Sequence, residues 1–147
     1  LFPGASETLH LLKESGLLLA VATGKGRAGL DKVLSGTGLQ EIFSATRCSD
    51  ETQSKPHPQM LMEILDELGT EPRQALMIGD TEYDLLMALN AGVSPVAVSY
   101  GVHERERLMQ HQPLACLDNI SELVDWLAEE GLVAQDLVSP PPLVAAD

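Results

Sequence analysis

Short apolar runs alternate with amphipathic stretches along most of the chain. Continuous apolar runs predict buried strands at about 17–22, 42–45, 75–78, 95–99 and 114–117. Apolar residues at helical spacing predict helices at about 6–16, 27–34, 58–68, 81–91, 104–110 and 121–130. Because strands and helices alternate, we predict an α/β fold with a doubly wound parallel sheet.

The length and the last residues of the chain suggest one domain followed by a tail. At 147 residues the chain is long enough to bury one substantial core. We expect this core to occupy residues 1–133. Beyond Leu132 the sequence becomes rich in proline, with three prolines at 140–142, so we expect residues 134–147 to form a disordered tail.

Composition excludes several classes of function. The formal net charge is −13, from 22 acidic and 9 basic residues, which argues against nucleic acid as a partner. No apolar run approaches the roughly 20 residues that span a bilayer, so we expect no membrane association. The two cysteines, Cys48 and Cys116, have neither zinc-site spacing nor the pattern of a disulfide framework. We therefore expect a cytoplasmic protein.

The turn after the third predicted strand carries candidate chemistry. Gly79 permits a tight turn and puts Asp80 just past the carboxyl end of that strand, the edge at which open α/β sheets bind ligands. Thr81 can cap the next helix, and Asp84 follows three residues later. Acidic oxygens held together in this way suit Mg²⁺. Alternatively, Thr81 and Asp84 form only a capping pair and Asp80 is a solvated loop residue.

Two further turns carry groups suited to an anion. Thr23 and the Gly24 amide follow an apolar strand and precede a helix, where they can bind phosphate oxygens. Lys55 supplies a positive charge in a polar loop. Taken singly, Thr23 is more simply a capping residue and Lys55 a solvated lysine. Taken as an ordered set on successive strand ends, these residues favour phosphoryl chemistry.

The ordered set resembles the haloacid dehalogenase (HAD) superfamily, especially its phosphoglycolate-phosphatase-like hydrolases. Three segments carry the resemblance: Val-Ala-Thr-Gly-Lys at 21–25, Ser-Lys-Pro-His-Pro at 54–58 and Ile-Gly-Asp-Thr-Glu-Tyr-Asp at 78–84. The resemblance implies an Mg²⁺-dependent phosphomonoester hydrolase that acts on a small phosphorylated metabolite through an aspartyl-phosphate intermediate. It implies that Thr23 and the Gly24 amide bind phosphate, that Lys55 stabilises charge and that Asp80 binds Mg²⁺. Asp84 would complete the catalytic set by orienting Lys55 or the waters of the metal.

One feature of that superfamily has no match in the sequence. Its nucleophile is an aspartate in a D-x-D motif on the first core strand, followed by a cap, and no apolar run here ends in D-x-D. The resemblance therefore implies the C-terminal part of a core domain, without its first strand, cap or nucleophile. We expect such a chain to be inactive and poorly stable alone, unless upstream chain or a strand from another copy, as in a homodimer, fills the gap.

Two other classes of function stay open at this point. The first is a non-catalytic, truncated HAD-like domain that binds phosphate, metal or a protein partner. A phosphoacceptor receiver domain using Asp80 fits less well, because the sequence lacks the early acidic pair of such domains. Because the cap largely shapes specificity in HAD hydrolases, the resemblance implies the class of substrate and no particular metabolite.

Overall fold

The computed structural model describes residues 5–99, 103–130 and 142–146. The strands in these ranges are β1 (Leu18–Thr23), β2 (Phe43–Cys48), β3 (Leu76–Gly79), β4 (Ser94–Val98), β5 (Cys116–Leu117) and β6 (Pro142–Ala146). The α-helices are α1 (Ala5–Glu14), α2 (Arg27–Thr37), α3 (Gln59–Leu68), α4 (Glu82–Ala91), α5 (Arg105–Met109) and α6 (Glu122–Glu129). A short 3-10 helix, Pro72–Gln74, precedes β3.

All the described strands lie in one sheet, in the order β2-β1-β6-β3-β4-β5. Every neighbouring pair is parallel. Helices cover both faces of this sheet, as parallel strands require, because a parallel sheet with an exposed face would leave apolar side chains in water. The predicted doubly wound parallel sheet is confirmed.

Side chains that alternate along the strands divide the core between the two faces. On β1, Leu19 and Val21 pack in one cluster, whereas Ala20 and Ala22 pack in another. The first cluster lies against α1, α2 and α6, and the second against α3 and α4. Small alanines on the second face let α3 and α4 approach the sheet closely, which matters because these two helices carry part of the candidate site.

Two helices carry a leucine on their exposed side. The exposed fractions of Leu11 in α1 and Leu89 in α4 are 50% and 48%. Met87 takes the buried position on α4. The helix is apolar almost all round, so its sequence alone does not identify the face that packs on the sheet.

Strand β6 occupies the centre of the sheet. The prediction of a disordered tail is wrong for Pro142–Ala146, which pair with β1 on one side and β3 on the other. Residues 134–141 and Asp147 of that predicted tail lie outside the described residues. The physical reason is that β1 and β3 would otherwise each present unpaired amides and carbonyls, which a strand between them satisfies.

The same observation corrects the predicted source of the central strand. The sequence led us to expect a gap between β1 and β3, filled by upstream chain or by a second copy. In the structure the gap is filled by Pro142–Ala146 of the same chain. The position was predicted correctly and the strand that fills it was not.

The described helices are short. The longest, α2, has 11 residues and is therefore about 16 Å long, roughly half the hydrocarbon thickness of a bilayer. Across the described ranges, no helix combines the length and the apolar character needed to cross a membrane.

Candidate active site

The candidate site lies at the edge where the parallel strands end. Val21 of β1 and Ile78 of β3 both align with Ala145 of β6. Thr23 and Asp80 each follow two residues later along their own strands, so they reach the same level of the sheet. With neighbouring strands about 4.8 Å apart, the two backbones are separated by about 10 Å, with β6 between them. The sheet thus brings two of the predicted site residues to one edge.

The two ends of the turn after β1 make different hydrogen bonds. Thr23 is fully buried, and its hydroxyl oxygen accepts the amide hydrogen of Lys25 at 3.1 Å, while Gly24 is exposed. The first amide of α2, that of Arg27, donates to both carboxylate oxygens of Asp50 at 3.1 Å. This carboxylate therefore occupies the start of α2, and the Thr23–Gly24 end of the turn lies apart from it along the chain.

The turn after β3 contains a capping box. The amide of Asp84 donates to the Thr81 hydroxyl oxygen, and the amide of Thr81 donates to Oδ2 of Asp84, both at 3.2 Å. The predicted cap is therefore confirmed. Gly79 makes this geometry feasible, since a Cβ atom on it would lie 2.3 Å from Cβ of Asp84. Only glycine lets the strand end pass so close to the first turn of α4.

Asp84 also forms a buried ion pair with Lys55. The Lys55 Nζ atom lies 2.5 Å from Oδ1 of Asp84, and the exposed fractions of the two side chains are 11% and 1%. The two readings of Asp84 are thus compatible, because one oxygen caps the helix and the other pairs with Lys55. The solvated-lysine alternative for Lys55 does not hold. Asp84 thus contacts the Lys55 ammonium group directly, and its role in orienting Lys55 or the waters of a metal stays a prediction.

The loop that carries Lys55 is attached to α4 at a second point. The Lys55–Pro56 peptide bond is cis, and the Asn90 side-chain amide donates to the Pro56 carbonyl at 3.1 Å. His57, next in the loop, is exposed, and its Nδ1 accepts the amide hydrogen of Gln59 at the start of α3. The His57 side chain therefore satisfies the first backbone amide of α3.

His103 is a contact of the site that the sequence analysis did not identify. Its amide donates to the backbone carbonyl of Asp80 at 3.2 Å, and its Nδ1 accepts the amide hydrogen of Glu82 at 2.9 Å. The ring also meets Tyr83 edge-on, with centroids 5.6 Å apart. His103 thus holds the Asp80 turn through two hydrogen bonds with its backbone. No spacing in the sequence signals this contact, because His103 lies 23 positions after Asp80.

Asp80 suits Mg²⁺ better than the other acidic group near this edge. The half-buried Asp80 stands at the strand end, whereas Asp84 is committed to Lys55. One carboxylate, with waters and substrate oxygens completing the shell, is the kind of donor set that Mg²⁺ accepts. The residues present therefore fit a weakly held Mg²⁺ ion.

A second group of potential ligands, formed by Cys48, Asp50 and Glu51, is organised by Arg27. Their ligand atoms lie within 4.8 Å of one another. The Arg27 amide binds Asp50, and its guanidinium binds Glu51 at 2.8 Å. The bond to Arg27 lowers the pKa of the Glu51 carboxyl, and the bond to Glu51 raises the pKa of Arg27. Since both carboxylates already neutralise this cation or cap its helix, we assign the group no metal.

Comparison with known proteins gives consistent matches. The family model of haloacid dehalogenase-like hydrolases matches residues 1–98, which include every predicted site residue. A probable phosphatase, IndB, of Dickeya dadantii is 39% identical over 84% of this chain and 54% of its own length. A phosphoglycolate phosphatase of Haemophilus influenzae is 33% identical over 86% of this chain and 57% of its own length.

A solved structure supports the same conclusion. A HAD family hydrolase from Deinococcus radiodurans, crystallised with bound phosphate and sodium, superposes with a TM-score of 0.82 at 26% identity. The match covers 90% of this chain and 61% of that one. The chain spans little more than half the length of the curated relatives described above. On the family match, the relatives and the shared fold, the chain belongs to the haloacid dehalogenase-like hydrolase family.

Proposed function

We propose that this chain forms the reacting edge of a Mg²⁺-dependent phosphomonoester hydrolase that acts on a small phosphorylated metabolite through an aspartyl phosphate. The observation that carries the proposal is the buried Lys55–Asp84 pair beside Asp80, on the edge that Thr23 also reaches. The names of the phosphatase relatives support a phosphate ester as the substrate class.

Thr23 and Gly24 form the phosphate-binding side of the proposed site. The Thr23 hydroxyl group and the Gly24 amide lie at a strand end and supply the hydrogen-bonding groups that phosphoryl oxygens require. Asp50 accepts the first amide hydrogen of α2, so we expect the phosphate toward the centre of the sheet and not along the axis of this helix. A phosphate held there faces the β3 side of the site.

Lys55 balances the charge of the phosphoryl group. Phosphoryl transfer depends largely on positioning and on charge stabilisation, so a cation held in a fixed position is more effective than a mobile one. The Asp84 carboxylate fixes the Lys55 ammonium, and the capping box in turn fixes Asp84. Asp84 therefore positions Lys55 and need not touch the substrate.

Asp80 would hold the metal ion. When bound, Mg²⁺ would supply additional neutralisation of the phosphoryl oxygens. The Asp80 turn is fixed through its backbone by His103, so its side chain starts from a defined position at the strand end. Because only this carboxylate is assigned to the metal, we expect weak Mg²⁺ binding.

NMR titration of the 147-residue chain tests both halves of this site. Inorganic phosphate should perturb the amide resonances at Thr23 and Gly24, and Lys55→Ala should weaken that binding at least tenfold. Lys32→Ala, which removes an exposed lysine of α2, is the matched control and should leave phosphate binding unchanged.

Mg²⁺ titration is the second arm. Asp80→Asn should remove the perturbation that Mg²⁺ causes around residues 79–82, whereas Asp66→Asn on the exposed side of α3 should not. An unchanged Mg²⁺ response in Asp80→Asn would refute the metal assignment. Phosphate binding without any turnover of p-nitrophenyl phosphate would favour the non-catalytic alternative.

A further inference from the structure

The two ends of the sheet carry the same kind of contact. Among the described strands, β2 and β5 lie at the ends, so each has one side without a neighbouring strand. Residues along a parallel strand alternate between the side that faces its neighbour and the free side. In both end strands, a backbone carbonyl on the free side accepts a hydrogen bond from an arginine side chain. These contacts are most extensive at β2, the longer of the two strands.

Arg27 and Arg47 both bind the outward carbonyl of Thr46. Arg47 donates to it through Nη1 at 2.9 Å, and Arg27 through Nη2 at 3.3 Å. Nη1 of Arg27 also donates to the Thr46 hydroxyl oxygen at 2.9 Å, so this guanidinium lies across the strand edge. Arg47 is held in turn by Glu63 at 3.0 Å and Glu67 at 2.8 Å. The carbonyl that a further strand would need as an acceptor is therefore already used.

The next outward residue, Cys48, is closed by Glu51. The Cys48 amide donates to Oε1 of Glu51 at 2.9 Å, and the Cys48 carbonyl accepts the amide hydrogen of Glu51 at 3.0 Å. The same carboxylate holds the guanidinium of Arg27 at 2.8 Å. Each guanidinium at this edge is therefore fixed by a carboxylate, and it can leave the strand only by breaking an ion pair.

The β5 end repeats the arrangement on a smaller scale. The carbonyls of Ala115 and Leu117 accept amide hydrogens from the side of β4, so the carbonyl of Cys116 between them faces outward. Nη1 of Arg105 donates to this outward carbonyl at 3.0 Å and lies 3.5 Å from a carboxylate oxygen of Asp118. Two parts of the chain that are distant in sequence thus supply the same contact.

The free side of β2 is open to an incoming strand apart from these side chains. A groove runs beside β2, and its lining includes Ser44 and both arginines. A strand can enter such a groove, because an unpaired sheet edge is a template for another strand. Ser44 is also the extra residue of a bulge, since Leu19 aligns with Phe43 and Ala20 with Ala45. A bulge bends the edge and hinders pairing in the same direction as the arginines.

We propose that Arg27 and Arg47 keep the free edge of β2 closed to a strand of a second copy of this chain. The gap at the centre of the sheet is filled by β6, so a second copy would have to add at an outer edge. Two β2 edges related by a two-fold axis would pair antiparallel, with the same residues on both sides. Three of the five arginines in this acidic chain bind outward edge carbonyls. The proposal is independent of the proposed function, because none of these arginines belongs to the candidate site.

The test opens the β2 edge without changing the net charge of −13. The edge variant combines four substitutions that remove two cations and two of their carboxylate partners: Arg27→Met, Arg47→Met, Glu51→Gln and Glu67→Gln. Methionine keeps a long side chain but cannot donate a hydrogen bond. In sedimentation velocity, the edge variant should dimerise at a concentration at least ~10-fold below any at which the 147-residue parent does.

Hydrogen exchange locates the contact in the associated protein. The Thr46 amide lies on the same side of β2 as its carbonyl, so it should become protected when the edge variant dimerises. Adding Thr46→Pro removes this outward donor and should restore the monomer, because an edge strand tolerates proline where the amide faces outward. Arg27→Lys with Arg47→Lys keeps a charged donor at each position and should stay monomeric.

A matched control excludes a general effect of the added methionines. Arg73→Met with Glu71→Gln removes an ion pair whose side chains are 82% and 63% exposed, outside the strands, and should leave the protein monomeric. Thermal unfolding followed by circular dichroism must show that each variant unfolds cooperatively. If the fourfold variant does not, Arg27→Met with Glu51→Gln alone opens part of the edge and takes its place.

The outcomes decide the proposal in either direction. Dimerisation that protects Thr46 and is reversed by Thr46→Pro would support it. A folded edge variant that remains as monomeric as the parent would overturn it, as would association that protects residues away from β2. Equal association in the Arg73→Met control, or a parent that already dimerises through β2, would also overturn it.

Discussion

The centre and the outer side of the sheet each carry an ion pair near the strand ends, but they expose it very differently. At the centre, Lys55 and Asp84 have side-chain exposures of 11% and 1%. Beside β2, at the outer edge, Arg27 and Glu51 have exposures of 33% and 37%. Both pairs join a cation to a carboxylate at hydrogen-bonding distance. The difference between them is access to water.

This difference separates a pair that can position a reacting group from a pair that mainly supports a loop. A buried pair pays a large desolvation cost and depends on additional hydrogen bonds, which Asp84 receives from its capping box. An exposed pair gains little, because solvent screens it. Burial, more than residue type, therefore distinguishes the central pair, which we assign to the proposed site, from the outer one.

The largest effect is expected when the centre of the sheet is converted into two edges. Deleting residues 142–147 leaves β1 and β3 without their shared partner. Each unpaired buried backbone group costs roughly 1–3 kcal/mol. Summed over the strand, this cost would cancel most of the ~5–15 kcal/mol by which a domain is stable. Thermal unfolding followed by circular dichroism should show no cooperative transition. Adding the peptide of residues 142–147 in excess should restore it, and a cooperative transition in the deletion variant alone would disprove the role of β6.

The next largest effect concerns the close approach between β3 and α4. Gly79→Ala places Cβ 2.3 Å from Cβ of Asp84, so the helix start must move away and disturb the central pair. We expect a loss of about 3 kcal/mol in the free energy of unfolding. Gly36→Ala is the control, because nothing lies within 4 Å of its Cβ position in α2, and it should stabilise by about 0.5–1 kcal/mol. Urea denaturation measures both, and equal effects would contradict the structure.

A matched pair of substitutions compares the two ion pairs directly. Asp84→Asn retains a capping oxygen but leaves Lys55 without its counter-charge, at an expected cost of about 3 kcal/mol. Glu51→Gln makes the same chemical change at the outer edge and should cost less than about 1 kcal/mol. Raising the salt concentration should shrink only the second effect, since buried pairs are screened less. Urea denaturation at two salt concentrations measures both losses of stability. A larger loss for Glu51→Gln than for Asp84→Asn would contradict the comparison.

The smallest effect is expected at a third ion pair, which joins α4 to α5. The bond from Arg107 lowers the pKa of the Glu82 carboxyl to about 2, from 4.5. Since the pKa is lower in the folded state, the pair stabilises the fold fully above pH 4.5 and loses this contribution as the pH falls toward 2. Glu82→Gln should therefore be slightly less stable than the parent at pH 7 and equal to it near pH 2. Thermal unfolding of both proteins between pH 7 and pH 2 measures this. A stability difference that persists near pH 2 would contradict the assignment.

Much of the site could be predicted from local sequence signals. The Thr81 cap and the helix ends at Gly69 and Gly92 depend on residues a few positions apart, and both glycines adopt the expected left-handed conformation. The strands that carry Thr23 and Asp80 were predictable from continuous apolar runs, because buried parallel strands need no polar face. The local sequence pattern was sufficient to predict those features that depend on residues close together in the chain.

The remaining features depend on contacts between distant residues. Lys55 meets Asp84 across 29 positions, and nothing near Lys55 distinguishes it from a solvated lysine. Pro142–Ala146 form a short apolar run next to prolines, a pattern that fits a tail as well as a strand. What makes this segment a strand is the backbone of β1 and β3, whose facing edges need a partner. Those edges lie far from residues 142–146 in the sequence.

The central position of β6 also constrains the order in which the molecule folds. The β1–β2 pair and the β3–β4–β5 group can each form from neighbouring parts of the chain, but nothing joins the two groups directly within the sheet. Within the sheet they are united by Pro142–Ala146, which lies more than 60 residues from β3 along the chain. Such pairings over long sequence distances are slow, because the chain must be ordered before the contacts form. Until β6 pairs, β1 and β3 each keep an open edge, so the step that joins the two half-sheets also brings the Thr23 and Asp80 turns to one edge.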